Sequence, residues 1–384
     1  MKKLAYLEGL RGIAALIVVL HHLVLLFYPV LNYGEENNTL SKHISISPLN
    51  IFYNGDFAVC LFFVLSGYVL SYKYVFSNNP KILIGYAIKR YFRLMPLIAA
   101  SVIFVFVVVK LNLFNRASLT SIRGSDDWLN DLFKCDTSVV TLIKDVFYGV
   151  LFFGNNQYNP VVWSMKIEFI GSMLLFVFLL ANHKIKPKWI LFILAFILAF
   201  YFKQYYYIAF LLGYALCALN KSKQLEISST IIKLMLLVIA IMLCSFPATW
   251  QYWDSSIYCF MHFSAIDLYS FYHVIGSTLL LLLIINHQPS IHFLSTRPVL
   301  FLGKISFSMY LFHLILLVLI ANPLFLALLP HLGYHFSFLT SVMLTLPIIG
   351  LVSNIANRFI DQPALRFANK IETRVLLAMF KEKT

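Results

Sequence analysis

Charge is scarce in this sequence: Asp, Glu, Lys and Arg together make up 12% of 384 residues, about half the usual quarter. Acidic residues are scarcest, 16 against 30 Lys and Arg. A water-soluble globule is excluded, because 60% of the chain is AVILMFWYC, against roughly 45–50% for a comparable set in soluble domains. The basic excess, +14 with His neutral, would suggest nucleic acid in a soluble protein. In a membrane protein the same excess collects in cytoplasmic loops, so no nucleic-acid partner is expected. Cysteine is also sparse. Cys60, Cys135, Cys217, Cys244 and Cys259 show no C-x-x-C or Cys/His ligand spacing, so neither a zinc site nor a disulfide framework is indicated. They read as small apolar packing residues. G-x-S-x-G, H-E-x-x-H and G-x-x-x-x-G-K-[ST] are missing, which leaves serine hydrolase, zincin and P-loop ATPase readings without support.

What is present is a series of long apolar runs. A bilayer core of about 30 Å needs roughly 20 mostly apolar residues per helix. On that basis ten segments stand out: 9–30, 52–75, 93–112, 161–182, 189–202, 205–219, 231–247, 267–286, 305–328 and 337–357. The fold class expected is all-α, a polytopic transmembrane bundle of about ten spans. The fifth and sixth segments are short and are joined by Lys203-Gln204-Tyr205-Tyr206-Tyr207, which reads as a tight hairpin turn in an aromatic interface belt. The start, Met1-Lys2-Lys3, looks like a signal-peptide n-region. Arg11 and His21-His22 interrupt its apolar run, however, so a retained first span is expected.

Placing the N-terminus in the cytoplasm puts most of the Lys and Arg inside, Lys73, Lys89, Arg90, Arg93, Arg297, Arg358 and Arg366 among them. The positive-inside rule therefore favours cytoplasmic N- and C-termini and an even number of spans. The longest outer segment, 113–160, carries Asp126, Asp127, Asp131, Asp136 and Asp145. Its apolar stretch 139–153 is too short to span and suits an interfacial or re-entrant position. The bundle is expected over 1–364 and an amphipathic cytoplasmic tail over 365–384. No repeat of 20–50 residues is visible, which weighs against an inverted-repeat transporter.

Ionisable groups at membrane depth are costly, so each is a functional candidate weighed against a packing role. Arg11 lies at the inner end of the first run, and His21-His22 lie about 16 Å further along the axis. Neutral imidazole can take a proton from a hydroxyl near pH 7, or simply bond a neighbouring helix. The two rings point about 100° apart, so one of them is expected to face a given site. In the second run, Ser66-Gly67 permits close helix approach. Lys89, Arg90 and Arg93 at an inner helix end either anchor to headgroups or bind a phosphate, and Arg90 and Arg93 share a face. Glu168, in Trp163-Ser164-Met165-Lys166-Ile167-Glu168, needs a partner on another helix. A histidine of the first span is the partner expected, because a carboxylate can orient an imidazole. Ser306, Tyr310 and His313 fall at i, i+4 and i+7 and make one polar stripe.

Taken in order, these pieces resemble one family, the integral-membrane acyltransferase family 3. The matching segments are Leu7-Glu8-Gly9-Leu10-Arg11-Gly12 with His22 completing Arg-x10-His, then Phe62-Phe63-Val64-Leu65-Ser66-Gly67-Tyr68. Lys89-Arg90-x-x-Arg93-Leu94-x-Pro96 and Trp163-Ser164-x-x-x-Glu168 follow. The series closes with Leu302-Gly303-Lys304-Ile305-Ser306 through His313 and Asp361-Gln362-Pro363-Ala364. The family often has Glu at the position of Asp361, and often another Tyr or Trp near Phe307 and Phe312.

The resemblance implies a ten-helix bundle in the plasma (inner) membrane that moves an acyl group, most commonly acetyl, onto a hydroxyl of a cell-surface or lipid-linked saccharide. Acyl-CoA, acetyl-CoA in the common case, enters from the cytoplasm as a substrate, with no bound cofactor and no metal. His22 is carried over as the catalytic base and Arg11 as its motif partner, with Glu168 as its orienting carboxylate. Arg90 and Arg93, with Lys89, are expected to bind the donor. Ser66, Tyr310, His313, Ser306, His21 and Trp163 are expected to support them. The composition, rich in Lys, Asn, Ile and Phe, suggests a bacterial source with a surface polysaccharide. The alternative from another class is a transporter or flippase that uses the same polar residues as a pathway.

Overall fold

The computed structural model describes residues 4–33, 39–113, 132, 135–185, 187–248, 253–254, 256–261, 263 and 268–380. Asp126, Asp127 and Asp131 of the expected outer segment lie outside the described residues, as do Lys2, Lys3, Lys186, Lys381 and Lys383 of the charge asymmetry. Among the described residues every regular element is helical. The main helices are α1 (Ala5–Phe27), α2 (Gly55–Ser77), α3 (Lys81–Lys110), α4 (Trp163–Lys184), α5 (Lys188–Tyr201) and α6 (Tyr205–Lys221). They continue with α7 (Thr230–Cys244), α8 (Tyr269–Ile285), α9 (Arg297–Leu316), α10 (Asn322–Ala356) and α11 (Gln362–Phe380).

All ten apolar segments fall on helices, but length and composition give fewer crossings. Ala5–Phe27, Gly55–Ser77, Lys81–Lys110, Pro160–Lys184 and the continuous run Arg297–Met379 are long and apolar enough to cross a membrane. A sixth candidate is Tyr269–Ile285 with Gln288–Leu294, bent by 99°. Helices α5, α6 and α7, with 14, 17 and 15 residues, are shorter than the roughly 20 residues a span needs. Among the described residues, length and composition thus pick out five candidate crossings, or six with the bent pair, the run from 297 being counted once. The run from 297 is interrupted within α10 at Gly333, whose φ of 67° and ψ of 175° end one helix and start another. The expected hairpin between α5 and α6 forms as Phe202-Lys203-Gln204, with Lys203 in the left-handed region at φ 55°.

Two crossings position the interior, and glycine permits both. On α1, a Cβ at Gly12 would collide with the backbone of Gly303, and one at Gly303 with the carbonyl of Glu8. The backbones of α1 and α9 therefore touch, as small residues allow inside membranes. On α2, Gly67 meets the Phe210 backbone of α6, and Gly213 of α6 meets the Val64 carbonyl. The core between these pairs holds Phe57, Leu61, Phe63, Tyr68 and Phe210, all fully buried. Outward-facing apolar side chains such as Ile193, Ile197, Leu234, Val238, Met343 and Leu351 remain exposed, the arrangement expected where lipid is the solvent.

Among the described residues three stretches wind as π-helix: 145–153, 317–321 and 357–361. Such turns are rare and often mark functional positions. The stretch 139–153 is not among the helices long and apolar enough to cross; Asp145 within it is buried and accepts from Asn155 Nδ2 at 2.6 Å and Gln157 Nε2 at 2.8 Å. The tail forms α11, which packs along α3, with Lys89 and Glu372 paired at 3.2 Å.

Candidate active site

Two cavities meet inside the bundle, and Val59 and Tyr310 line both. The first, of about 160 Å³, is cationic: Arg11 of α1, Arg90 and Arg93 of α3, Glu168 and Ser164 of α4, Ser66 of α2 and Ser306 of α9 surround it, with Phe62, Phe63, Leu94, Met165 and Phe307. The second, of about 290 Å³, lies toward the other end of α1. It is lined by His21, His22, Asp56, Asn156, Trp163 and the apolar Val18, Leu25, Pro160 and Val161. The partition follows from the sequence, since α1 and α2 run antiparallel. Arg11 therefore lies level with the Ser66 end of α2, and His22 with its Asp56 end.

In the arginine cavity two of the three guanidiniums are committed to carboxylates. Arg90 pairs with Glu168 and reaches Ser172 Oγ at 3.3 Å through Nε. Ser66 Oγ donates to the same Glu168 oxygen at 2.6 Å. Arg93 holds both oxygens of Asp361, Nη2 to Oδ2 at 3.2 Å, and its guanidinium lies 5.6 Å over the Phe307 ring. The π-turn 357–361 carries this carboxylate, and Asn357 Nδ2 donates to it at 3.1 Å. Partnering of this kind is what low dielectric demands of charge at membrane depth. Arg11 makes no hydrogen bond or ion pair among the described residues, and it is the cation left to attract an anionic group.

Glu168 therefore does not reach His22, where it was expected. The partner of His22 is His313. His313, completely buried, has Nδ1 at 2.8 Å from the Tyr310 carbonyl and 3.0 Å from that of Met309. Carbonyl oxygens only accept, so Nδ1 carries the proton and Nε2 accepts. That nitrogen is 3.1 Å from His22 Nδ1, which also lies 2.9 Å from the Val18 carbonyl. His22 Nδ1–H is thus the donor, and its lone pair sits on Nε2. His21 also lines this cavity, edge-on to His22 with centroids 5.2 Å apart, its Nδ1 3.1 Å from the Tyr53 carbonyl. Only one of the two rings was expected to face the site. The cavity wraps around α1 widely enough to take both despite their 100° separation.

The expected polar stripe of α9 divides between functions. Ser306 and Tyr310 line the arginine cavity, whereas His313 meets His22. The Tyr310 hydroxyl donates to the Val161 carbonyl at 2.8 Å and is 2.7 Å from Ser164 Oγ. Ser306 Oγ bonds its own helix at Gly303. Trp163 lines the histidine cavity, its ring 5.7 Å from that of Tyr206. Lys89 does not line either cavity and pairs with Glu372.

Sequence reasoning missed Asp56, although a carboxylate two residues after the Asn54 cap and at the mouth of an apolar run was a visible signal. Asp361 was noted in its motif without a partner. No grouping of His, Cys, Asp and Glu able to hold a metal occurs among the described residues.

A family model described as an acyltransferase domain matches residues 4–353. Among curated proteins, Acyltransferase R4 of a Phoma species is 29% identical over 231 residues, covering 44% of this chain and 47% of that protein. O-acetyltransferase PaAT-1 of Phomopsis amygdali is 25% identical over 207 residues, with 48% and 41% covered. Acyltransferase clz18 of Cochliobolus lunatus is 27% identical over 233 residues, with 44% and 47% covered. The alignments thus span about half the length of these curated relatives. No solved structure matches.

Proposed function

The chain belongs to the acyltransferase-domain family, and from that premise we propose that it is a multi-pass membrane O-acyltransferase. It transfers an acyl group, most simply acetyl, from acyl-CoA to a hydroxyl of a saccharide. The observation that carries this reading is the His22–His313 contact of 3.1 Å at the wall of a cavity that shares Val59 and Tyr310 with a cationic one. A thioester donor with a polyanionic head suits the arginine cavity. Arg11 offers it an uncommitted charge, while Arg90 and Arg93, held by Glu168 and Asp361, shape the wall. The donor enters from the cytoplasmic side, and the acceptor reaches the histidine cavity from the other. The protein resides in a plasma membrane.

His22 Nε2 takes the proton of the acceptor hydroxyl as its oxygen attacks the thioester carbonyl. The tetrahedral intermediate collapses by breaking the carbon–sulfur bond. The proton on His22 passes to the departing thiolate, leaving an ester and a free thiol. Proton transfer of this kind contributes about 10²–10⁴-fold. Tyr310, reached from both cavities, is the hydroxyl placed to stabilise the oxyanion once it leaves the Val161 carbonyl, in a setting that excludes bulk water.

Acetyl-CoA is supplied to the purified full chain in nanodiscs, and the thiol released is measured. Turnover that His22→Ala abolishes supports the reading. Absence of both acetyl-CoA binding and turnover overturns it and favours a transporter of an acyl or glycan species.

A further inference from the structure

The two cavities differ in charge as well as in side chain. Among the described residues the arginine cavity gathers three guanidiniums against the one lining carboxylate of Glu168, whereas Asp56 is the only Asp, Glu, Lys or Arg that lines the histidine cavity. Asp56 is not occupied with capping its helix. Asn54 does that, its Oδ1 accepting from Phe57 N at 2.9 Å. One oxygen of Asp56, Oδ2, accepts the Tyr269 hydroxyl at 2.9 Å. Oδ1 accepts no hydrogen bond among the described residues.

Two groups suited to a polyol line the same cavity as this carboxylate. The indole of Trp163 presents an aromatic face, and its N–H takes no partner among the described residues. The exposed amide of Asn156 offers both donors and an acceptor. The volume, about 290 Å³, falls just below the roughly 300–1,000 Å³ typical of small-molecule sites. Such a space suits one ring with its hydroxyls better than a flat chain.

We propose that the histidine-lined cavity is the acceptor subsite and that Asp56, with Trp163 and Asn156, selects neutral or amine-bearing polyols over acidic ones. Asp56 accepts hydroxyl or ammonium protons of the acceptor through Oδ1, Trp163 packs against its C–H face, and the free hydroxyl is left toward His22 Nε2. A carboxylate-bearing acceptor meets Asp56 at close range, with no Lys or Arg among the described lining residues to offset the repulsion. The selectivity rests on the acyl-transfer reading above.

Its test uses the full chain in nanodiscs with acetyl-CoA and three acceptor probes: methyl glucoside, glucosamine and glucuronate. Ester or amide formation is followed by mass spectrometry, and acetyl-CoA affinity is measured separately as the check on folding. The expected result is a kcat/KM at least tenfold higher for methyl glucoside and glucosamine than for glucuronate. Asp56→Asn should reduce that ratio at least tenfold, chiefly by raising KM for the favoured probes, and Asp56→Glu should restore part of it. Equal use of glucuronate, an unchanged ratio in Asp56→Asn, or acetylation of none of the probes by protein that still turns over acetyl-CoA overturns the proposal. Loss of acetyl-CoA binding and turnover in the unaltered protein would instead bring down the acyl-transfer reading itself.

Discussion

His313 Nε2 lies 3.1 Å from His22 Nδ1, and the two carbonyl contacts of His313 Nδ1 decide which of the two nitrogens donates. An imidazole therefore does for His22 what a carboxylate was expected to do. Because a neutral ring replaces an anion, the pair adds no buried charge at membrane depth, where an unpaired carboxylate would be costly. Its price in electrostatics is that His313 orients His22 without the attraction a carboxylate would exert on an imidazolium.

That arrangement can be probed from both sides. His22→Ala should lower acetyl transfer by about 10²–10⁴-fold, the loss of a general base. His313→Phe keeps the ring volume but removes the acceptor, and should lower kcat by about 10–100-fold, the range seen when a ligand's orienting partner is lost. KM for acetyl-CoA should hold in the second variant. A fall in donor affinity without a fall in kcat would show that His313 is not a positioning residue.

Arg11 is predicted to govern the donor. As the guanidinium without a partner among the described residues of its cavity, it should add a charge-assisted hydrogen bond of about 1.5–3 kcal/mol. Arg11→Ala should then weaken acetyl-CoA binding by roughly 10–100-fold, as read by calorimetry on folded protein. An unchanged dissociation constant would move the anion site elsewhere.

Arg90 and Glu168 are predicted to act first on stability. Their side chains are only 14% and 13% exposed, and removing one member leaves the other charged and uncompensated, at a cost of about 3–5 kcal/mol. Glu168→Ala should lower the melting temperature in detergent strongly. The double variant Arg90→Met with Glu168→Met should be more stable than the single one. If the single variant melts like the unaltered protein, the pair is not structural.

The glycine crossing of α1 and α9 gives a steric prediction. Gly12→Val places atoms into the Gly303 backbone, which cannot yield as a side chain could, and should cost about 3 kcal/mol or more. Gly350 of α10 has nothing within 4 Å of an added Cβ. Gly350→Ala should raise stability by about 0.5–1 kcal/mol, since glycine weakens a helix interior by that amount. Thermal melts in detergent would check both, and equal behaviour of the two variants would argue against the close crossing.

Much of the molecule was legible from the chain alone. Each of the ten apolar segments lies on a helix, because hydropathy over some 20 residues reports directly on burial in lipid. The Lys203 turn was readable for the same local reason. The candidates that line or adjoin the two cavities were also visible, since Arg11, His22, Glu168 and His313 stand out in a chain that is only 12% charged. The number of crossings was less legible: α5, α6 and α7 fall short of a span, and Gly333 breaks a run that composition alone cannot orient.

What only the tertiary structure decided was who meets whom. Scarcity of charge selected the candidates but carried no information about their partners, since partners lie on other helices, up to 291 residues away for His22 and His313. The α1–α9 contact at Gly12 and Gly303 brings the two imidazoles together. The lie of α3 between α4 and the π-turn 357–361 gives Arg90 to Glu168 and Arg93 to Asp361. In a medium that cannot solvate them, each charge takes the counter-charge that helix packing brings nearest. That Arg11 is left without a counter-charge among the described residues, and that Asp56 lines the other cavity, followed only from those pairings.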